Sequence, residues 1–317
     1  MTTLTGGALL PAFGCRRTGP SERPNILLMI ADDLRPDFGG VEVPNIRRIG
    51  HVATGRCAMP LCAPSRASVL TGLPVAQHGS TDNHSPLPAD VLTLPRYLAK
   101  SGYRTVGIGK VEHHASEDVG WGTRLRNPGG LAHADGGAFW SKLYERLDVP
   151  DSTYDDWHRA TATILQMQKS QPPWFIAVGF RSPHKPYTAP ARYWHPGRVN
   201  PEGIGGDHRS FARTMPELTE MTPEVAQLVT DGYRASVRFL DAQVGRVLDA
   251  VPPGTHVILV SDNGYCLGEH GCWSKHGPAR EHCWDVPIVG APGLGDLTGL
   301  FRYVCGLAHV RAPSHVA

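Results

Sequence analysis

The chain has 317 residues, 41% hydrophobic and 19% charged, with 36 glycines and 28 prolines. This is an ordinary globular composition with long ordered loops, enough for one large α/β domain or two modest ones. A formal net charge of +2 leaves no nucleic-acid footprint, the seven cysteines make neither a disulfide framework nor a C-x-x-C zinc pair, and no apolar run reaches a membrane span.

Residues 1–23 read as a tail. Within it Gly6–Cys15, GGALLPAFGC, has the apolar, small-residue look of a signal peptide's end but lacks a basic n-region. Three readings stand: a signal or lipoprotein remnant with Cys15 lipidated, a start assigned too late, and a plain tail. The first two imply a periplasmic or extracellular protein, lipid-anchored in the lipoprotein case. An N-terminus complete as written implies the cytoplasm.

Asn25–Ala31, NILLMIA, is an uninterrupted apolar run, the pattern of a strand buried on both faces. It stops at Asp32-Asp33. Two adjacent carboxylates after a core strand repel each other and lose hydration, so a cation should compensate them. A helix N-cap accounts for one; a hard divalent cation with oxygen ligands accounts for both. Pro44-Asn45-Ile46 opens a short helix. Leu61–Gly72, LCAPSRASVLTG, then places Cys62 near the N-terminus of a small-residue helix, where orphan N–H groups and the dipole favour negative charge. Arg66, one turn on, can reach back. Taken alone, Cys62 is most simply a buried thiol at a helix start.

Gly72–Pro88 reads as a loop, and Thr93–Ser101 as an amphipathic helix stopped by Gly102. Thr105–Gly109 is a second strand, followed by Lys110 and His113-His114. A lysine at a strand exit is ordinarily just solvated, less readily so in a Gly-Lys turn beside two histidines. Gly120–Gly137 reads as loop, Tyr154–Lys169 as helix, and Trp174–Phe180 as a third strand. That strand empties into Arg181, His184, Lys185, Pro186 and Tyr187, where the prolines hold the backbone extended and present the side chains. Arg192–Met221 is an irregular excursion. Thr222–Val251 is the longest helical pattern, ended by Pro252-Pro253-Gly254. His256–Val260 is a fourth buried strand, ending in Ser261-Asp262-Asn263-Gly264; a polar loop with Lys275 follows, and Val286–Gly290 is a further strand.

Apolar strands alternating with helices predict an α/β fold, a mostly parallel central sheet sandwiched by helices. Asp32-Asp33, Lys110, His184 and Asp262-Asn263 all fall at the C-terminal ends of strands, the edge along which open α/β sheets bind ligands. Separate accidents explain each of them singly; one site explains them together.

The C-x-P-S-R motif at Cys62, with Leu70-Thr71-Gly72 after it, resembles the signature of the formylglycine-dependent sulfatases of the alkaline-phosphatase superfamily. GKVEHH, SPHKPYTAPARYW, DAQVGRVLDAV and SDNGYCLGEHGCWSKH resemble the branch containing iduronate-2-sulfatase. The resemblance runs from about Asn25 to Pro292, so residues 24–317 read as one catalytic domain. It implies that a formylglycine-generating enzyme oxidises Cys62 to an aldehyde whose hydrate attacks sulfur, giving a covalent sulfo-enzyme. Asp32, Asp33, Asp262 and Asn263, with the modified Cys62, fall on the family's metal ligands, calcium being the usual ion and magnesium the lesser alternative. Arg66 falls on the residue that steadies the formylglycine, and Lys110 and Lys275 on sulfate-binding lysines. His113 falls near the aldehyde hydrate, and His184 beside the leaving-group oxygen as general acid.

Two departures stand out. Asn263 replaces a histidine common in this branch, although Asn is a ligand elsewhere in the family. Leu294–Val316 resembles the helix that follows the last core strands, and the resemblance then leads to the expectation of a domain truncated before the family's smaller C-terminal subdomain. The expected substrate is a sulfated carbohydrate or another small sulfate ester. The rivals are a phosphomonoester or phosphonate-ester hydrolase on the same fold and a non-catalytic carbohydrate-binding relative. His270, His276, His282 and Cys266 need no catalytic role.

Overall fold

The computed structural model describes residues 23–129, 143–212, 215–275 and 280–316. The signal or lipoprotein reading of Gly6–Cys15 and the position of His276 lie outside the described residues. The strands are β1 (Ile26–Asp32), β2 (Val52–Arg56), β3 (Arg104–Gly109), β4 (Thr123–Leu125), β5 (Tyr144–Leu147), β6 (Trp174–Pro183), β7 (Tyr187–Pro190), β8 (His256–Ser261), β9 (Cys266–Leu267), β10 (Trp273–Ser274) and β11 (Asp285–Val289). The helices are α1 (Pro44–Arg47), α2 (Cys62–Thr71), α3 (Val75–His78), α4 (Leu94–Lys100), α5 (Asp155–Lys169), α6 (Pro223–Leu248), α7 (Arg280–Trp284) and α8 (Leu300–Leu307).

Among the described residues the main sheet runs β2-β11-β8-β1-β6-β3-β4. β1 lies at its centre, parallel to β8 and β6; β3 and β4 continue the parallel set, while β11 is antiparallel to both β8 and β2. The uninterrupted apolar run of β1 has a plain physical cause. Alternate strand residues point to opposite faces: Leu27, Met29 and Ala31 join a core with α5 and α6, whereas Ile26, Leu28 and Ile30 join a second core with α2, α4 and α8. The expected α/β sandwich is therefore present, with the C-terminal ends of the five parallel strands at one edge.

The differences from expectation lie at the margins. β2 was not anticipated, because a five-residue strand with a glycine and a half-exposed pattern carries little strand signal. The described part of Gly120–Gly137 contains β4, and Gly72–Pro88 contains the single turn α3. Leu294–Val316 is α-helical over α8, between 3₁₀ turns at Leu297–Gly299 and Ser314–Val316.

Two facing glycines shape the sheet edge. Gly109 ends β3 at φ +68°, paired with Gly179 of β6, and the Lys110 amide donates to Gly179 O at 2.9 Å. A Cβ on Gly179 would lie 1.8 Å from Lys110 O, and one on Gly109 would lie 2.4 Å from Gly179 O. Only glycine lets the chain fold back this tightly and turn Lys110 toward the strand ends. Gly179→Ala should therefore lower stability by more than about 2 kcal/mol in equilibrium urea unfolding; an unchanged midpoint would contradict the close approach.

Candidate active site

The site grows from the end of β1. The β1–β6 register breaks between Ile30 and Asp32, and Asp33 takes φ +67°, a left-handed conformation that Asp tolerates better than most residues. Fixed partners hold that turn. Tyr233 Oη donates to Asp33 O at 2.8 Å and accepts from the Arg35 amide at 3.0 Å, while Ser261 Oγ accepts from the Leu34 amide at 2.8 Å. Asp32 and Asp33 are both buried.

Cys62 is the first residue of α2, a helix buried along its whole length. Leu61 at the N-cap offers no side-chain acceptor, and Asn83 supplies one by accepting from the Ala63 amide at 3.0 Å. The Cys62 Sγ lies 2.8 Å from Lys275 Nζ and 3.3 Å from Asp32 Oδ1. Lys275 also reaches Asp33 Oδ1 at 2.6 Å, and Lys110 Nζ pairs with Asp32 Oδ2. Arg66, fully buried, holds Asp262 Oδ2 through Nε at 2.9 Å and the Lys110 and Val111 carbonyls through Nη1, with Nη2 3.8 Å from Asp32 Oδ1. It thus ties α2 to β8 and to the Lys110 turn. Its hydrogen bonds go to these partners and not back to Cys62.

The electrostatics follow from these pairings. Burial pushes the Asp32 and Asp33 carboxyls up, but Lys110 beside the first and Lys275 beside the second hold both below the usual carboxylate range. Asp262 goes the other way. Its burial outweighs Arg66, and with Asp32 nearby it is raised to about 6. Burial and Asp32 push the Cys62 thiol up, so a thiolate is disfavoured. Burial lowers His184 to about 4, and burial with the Lys110 and Arg66 charges lowers His113 to about 3, leaving both imidazoles neutral at pH 7.

Carboxylate oxygens of Asp32 and Asp33, Cys62 Sγ and a His184 ring nitrogen lie within 4.8 Å of one another. Asp262 Oδ1 accepts from the Asp33 amide at 3.1 Å, and Asn263 Nδ2 donates to Asp33 Oδ1 at 2.6 Å. Asn263 Oδ1 is buried with no hydrogen-bond partner among the described residues. A buried acceptor without a donor is costly. With three neighbouring carboxylates it makes a donor set that fits a hard cation.

The residues singled out in the sequence therefore meet. Asp32, Asp33, Cys62, Arg66, Lys110, Asp262, Asn263 and Lys275 form one mutually bonded cluster, buried except for the partly exposed Lys110. His184 Nε2 lies 3.9 Å from Asp33 Oδ2, and His113 lines a cavity with Lys110 and His184. Tyr233, which fixes the Asp33 turn, and Arg124, Arg126 and Arg159 of that cavity carry no such signal in the sequence. Tyr233 sits inside the long helix α6, where an aromatic residue reads simply as core.

The sulfatase family model matches residues 24–290. A sulfatase of Formosa agariphila and the human iduronate 2-sulfatase are each 28% identical to this chain over 80% of its length, covering 61% and 56% of their own. The chain thus spans less than two thirds of the length of these curated relatives. The fold is that of a protein solved with its substrate D-glucosamine-2-N,6-O-disulfate (TM-score 0.72, 20% identity, 93% of this chain and 78% of that one). It is equally that of a phosphonate monoester hydrolase from Silicibacter pomeroyi (TM-score 0.74, 22% identity, 92% and 74%).

Arg66→Ala should leave Asp262 buried without its cation, at a cost of about 3–5 kcal/mol. The folded pKa of Asp262, about 6, exceeds that of a free carboxylate, so ionising it works against the folded state as pH rises through that value. The loss should be largest at pH 7.5 and smaller at pH 5, where a proton neutralises the carboxylate. Urea unfolding at both pH values checks this, and an equal loss at the two would contradict it.

Proposed function

The chain belongs to the sulfatase family, and we propose that it hydrolyses a sulfate monoester at Cys62, on a sulfated carbohydrate or another small sulfate ester. The observation that carries this reading is the state of Cys62. Its thiol heads a buried helix between Lys275 and Asp32, and its surroundings keep it protonated. A protonated thiol is a weak nucleophile. An environment this hostile to a thiolate suits a cysteine that is oxidised to formylglycine before use, which makes a formylglycine-generating enzyme the partner during maturation. The aldehyde hydrate supplies a hydroxyl nucleophile that the thiol lacks.

Asp32, Asp33, Asp262 and the side-chain oxygen of Asn263, beside the modified Cys62, are the groups that would hold a calcium ion. Magnesium is the lesser fit for a donor set of this kind. The ion would supply charge neutralisation for the sulfate oxygens. Lys110 and Lys275, already turned to the same point by Asp32 and Asp33, would take the remaining oxygens as fixed charges.

His184 has the position and tautomer of an acid in waiting. Its Nδ1 meets the Lys185 main-chain oxygen, which can only accept, so the neutral ring carries its proton there and Nε2 faces the site. A bound sulfate places negative charge beside Nε2 and favours a second proton, which the ring can then deliver to the leaving oxygen. His113, with Nδ1 lacking a partner among the described residues, would accept a proton on the nucleophile's side.

The likeness of fold to a phosphonate monoester hydrolase keeps phosphonate and phosphate esters as the second reading. Comparing nitrophenyl sulfate with nitrophenyl phosphate, using protein coexpressed with a formylglycine-generating activity, tests the proposal directly. Sulfate should be preferred, and turnover of phosphate alone would overturn it. Within the sulfates, His184→Ala should reduce alkyl sulfate hydrolysis by about 10²–10⁴-fold and nitrophenyl sulfate much less, since a phenolate needs little protonation. Equal losses across a leaving-group series would mean that His184 positions the substrate and is not the acid.

A further inference from the structure

Beside Lys110 and His184 opens a cavity of about 340 Å³ whose wall is unusually basic. Arg124 at the β4 edge, Arg126 just past β4, Arg159 on α5 and Arg181 on β6 line it together with Lys110, and Glu112 is the one carboxylate among the described lining residues. Counting Asp155 and Asp156, which pair with Arg159, and Asp32, which pairs with Lys110, the balance is still five cations to four carboxylates.

Part of this arrangement is structural. Arg124 and Arg126 share Glu112 Oε1, and they also donate to main-chain oxygens: Arg124 to Gly107 and Gly109, Arg126 to His114 and Glu117. These bonds pin the loop between β3 and β4. Pinning a loop does not require two guanidiniums on one carboxylate, nor a third behind them. Arg159 is buried, and its Nε has no hydrogen-bond partner among the described residues. It approaches Gly109 so closely that a Cβ there would lie 2.8 Å from Nε. Burial lowers the pKa of Arg124 despite Glu112, and the nearby Arg126 and Arg159 charges add to the lowering. Rigid, partly desolvated guanidiniums in surplus are built for a carboxylate or a sulfate. A neutral hydroxyl would not justify the repulsion among them.

We infer that the substrate carries a second anionic group, a sulfate or carboxylate next to the scissile ester, and that this group sits in the arginine-lined cavity beside Lys110. The inference rests on the reading of Lys110 and His184 as facing the scissile sulfate. Its test needs no turnover. Alkanesulfonates and α,ω-alkanedisulfonates of two to six carbons cannot be hydrolysed, and their affinities can be compared by calorimetry at fixed ionic strength. The best disulfonate should bind at least about tenfold more tightly than the monosulfonate of equal length, the gain expected of one added charge-assisted contact. Arg126→Ala should bring that ratio toward one, and Arg126→Lys, which keeps the charge, should preserve part of it. Replacing the distal sulfonate by a carboxylate tells which anion is preferred. Equal affinity of mono- and disulfonates across the series in the wild-type protein, or no binding of any, overturns the inference. Hydrolysis of nitrophenyl sulfate is read separately, so loss of the second-anion preference leaves the sulfatase reading standing.

Discussion

Asp32 and Asp33 are adjacent, ionised and buried at the end of the central strand, and the rest of the structure is arranged around that fact. Two bare carboxylates in that position would cost many kcal/mol of lost hydration and mutual repulsion. Their compensation comes from separate parts of the chain: Lys110 from the exit of β3, Lys275 from just past β10, and Arg66 from α2. Asp262 then balances Arg66 and links it to β8. Each contact is between elements far apart in sequence, so the charged cluster also closes the fold along its functional edge. Groups held like this need little reorganisation when a charged substrate arrives, which is how electrostatic catalysis operates.

Backbone geometry does the aiming. A left-handed Asp33, held by Tyr233, turns two consecutive carboxylates into one space where a regular strand would send them to opposite faces. Ser274, immediately before Lys275, also has a positive φ, of 68°. The Gly109–Gly179 contact lets Lys110 double back over β6. Strained or glycine-dependent conformations thus gather where the side chains converge, a pattern common at working sites.

How much was legible in the sequence depends on the kind of signal. Buried parallel strands announce themselves as continuous apolar runs, so β1, β3, β6 and β8 and the polar residues at their ends could be read off directly. Cys62 was legible through its motif, and Asn263 through its place after β8. The edge strands β2 and β4 were not, being short and half-exposed. Arg124, Arg126 and Arg159 come from an edge strand, the residues past it and the side of a helix, where an arginine reads as a solvated face. Their convergence exists only in three dimensions. The same holds for Cys266, Cys272 and Cys283, irregularly spaced along the chain yet packed as one buried trio.

The central claim is that this cluster is organised around a cysteine that works only after oxidation. The mass of the proteolytic peptide spanning Cys62, from protein made alongside a formylglycine-generating activity, tests it most directly. Conversion removes one sulfur and two hydrogens and adds one oxygen, and the account predicts that this lighter form is present and that sulfatase turnover rises in proportion to its fraction. Full turnover from protein whose Cys62 peptide retains the mass of the unmodified thiol would contradict it.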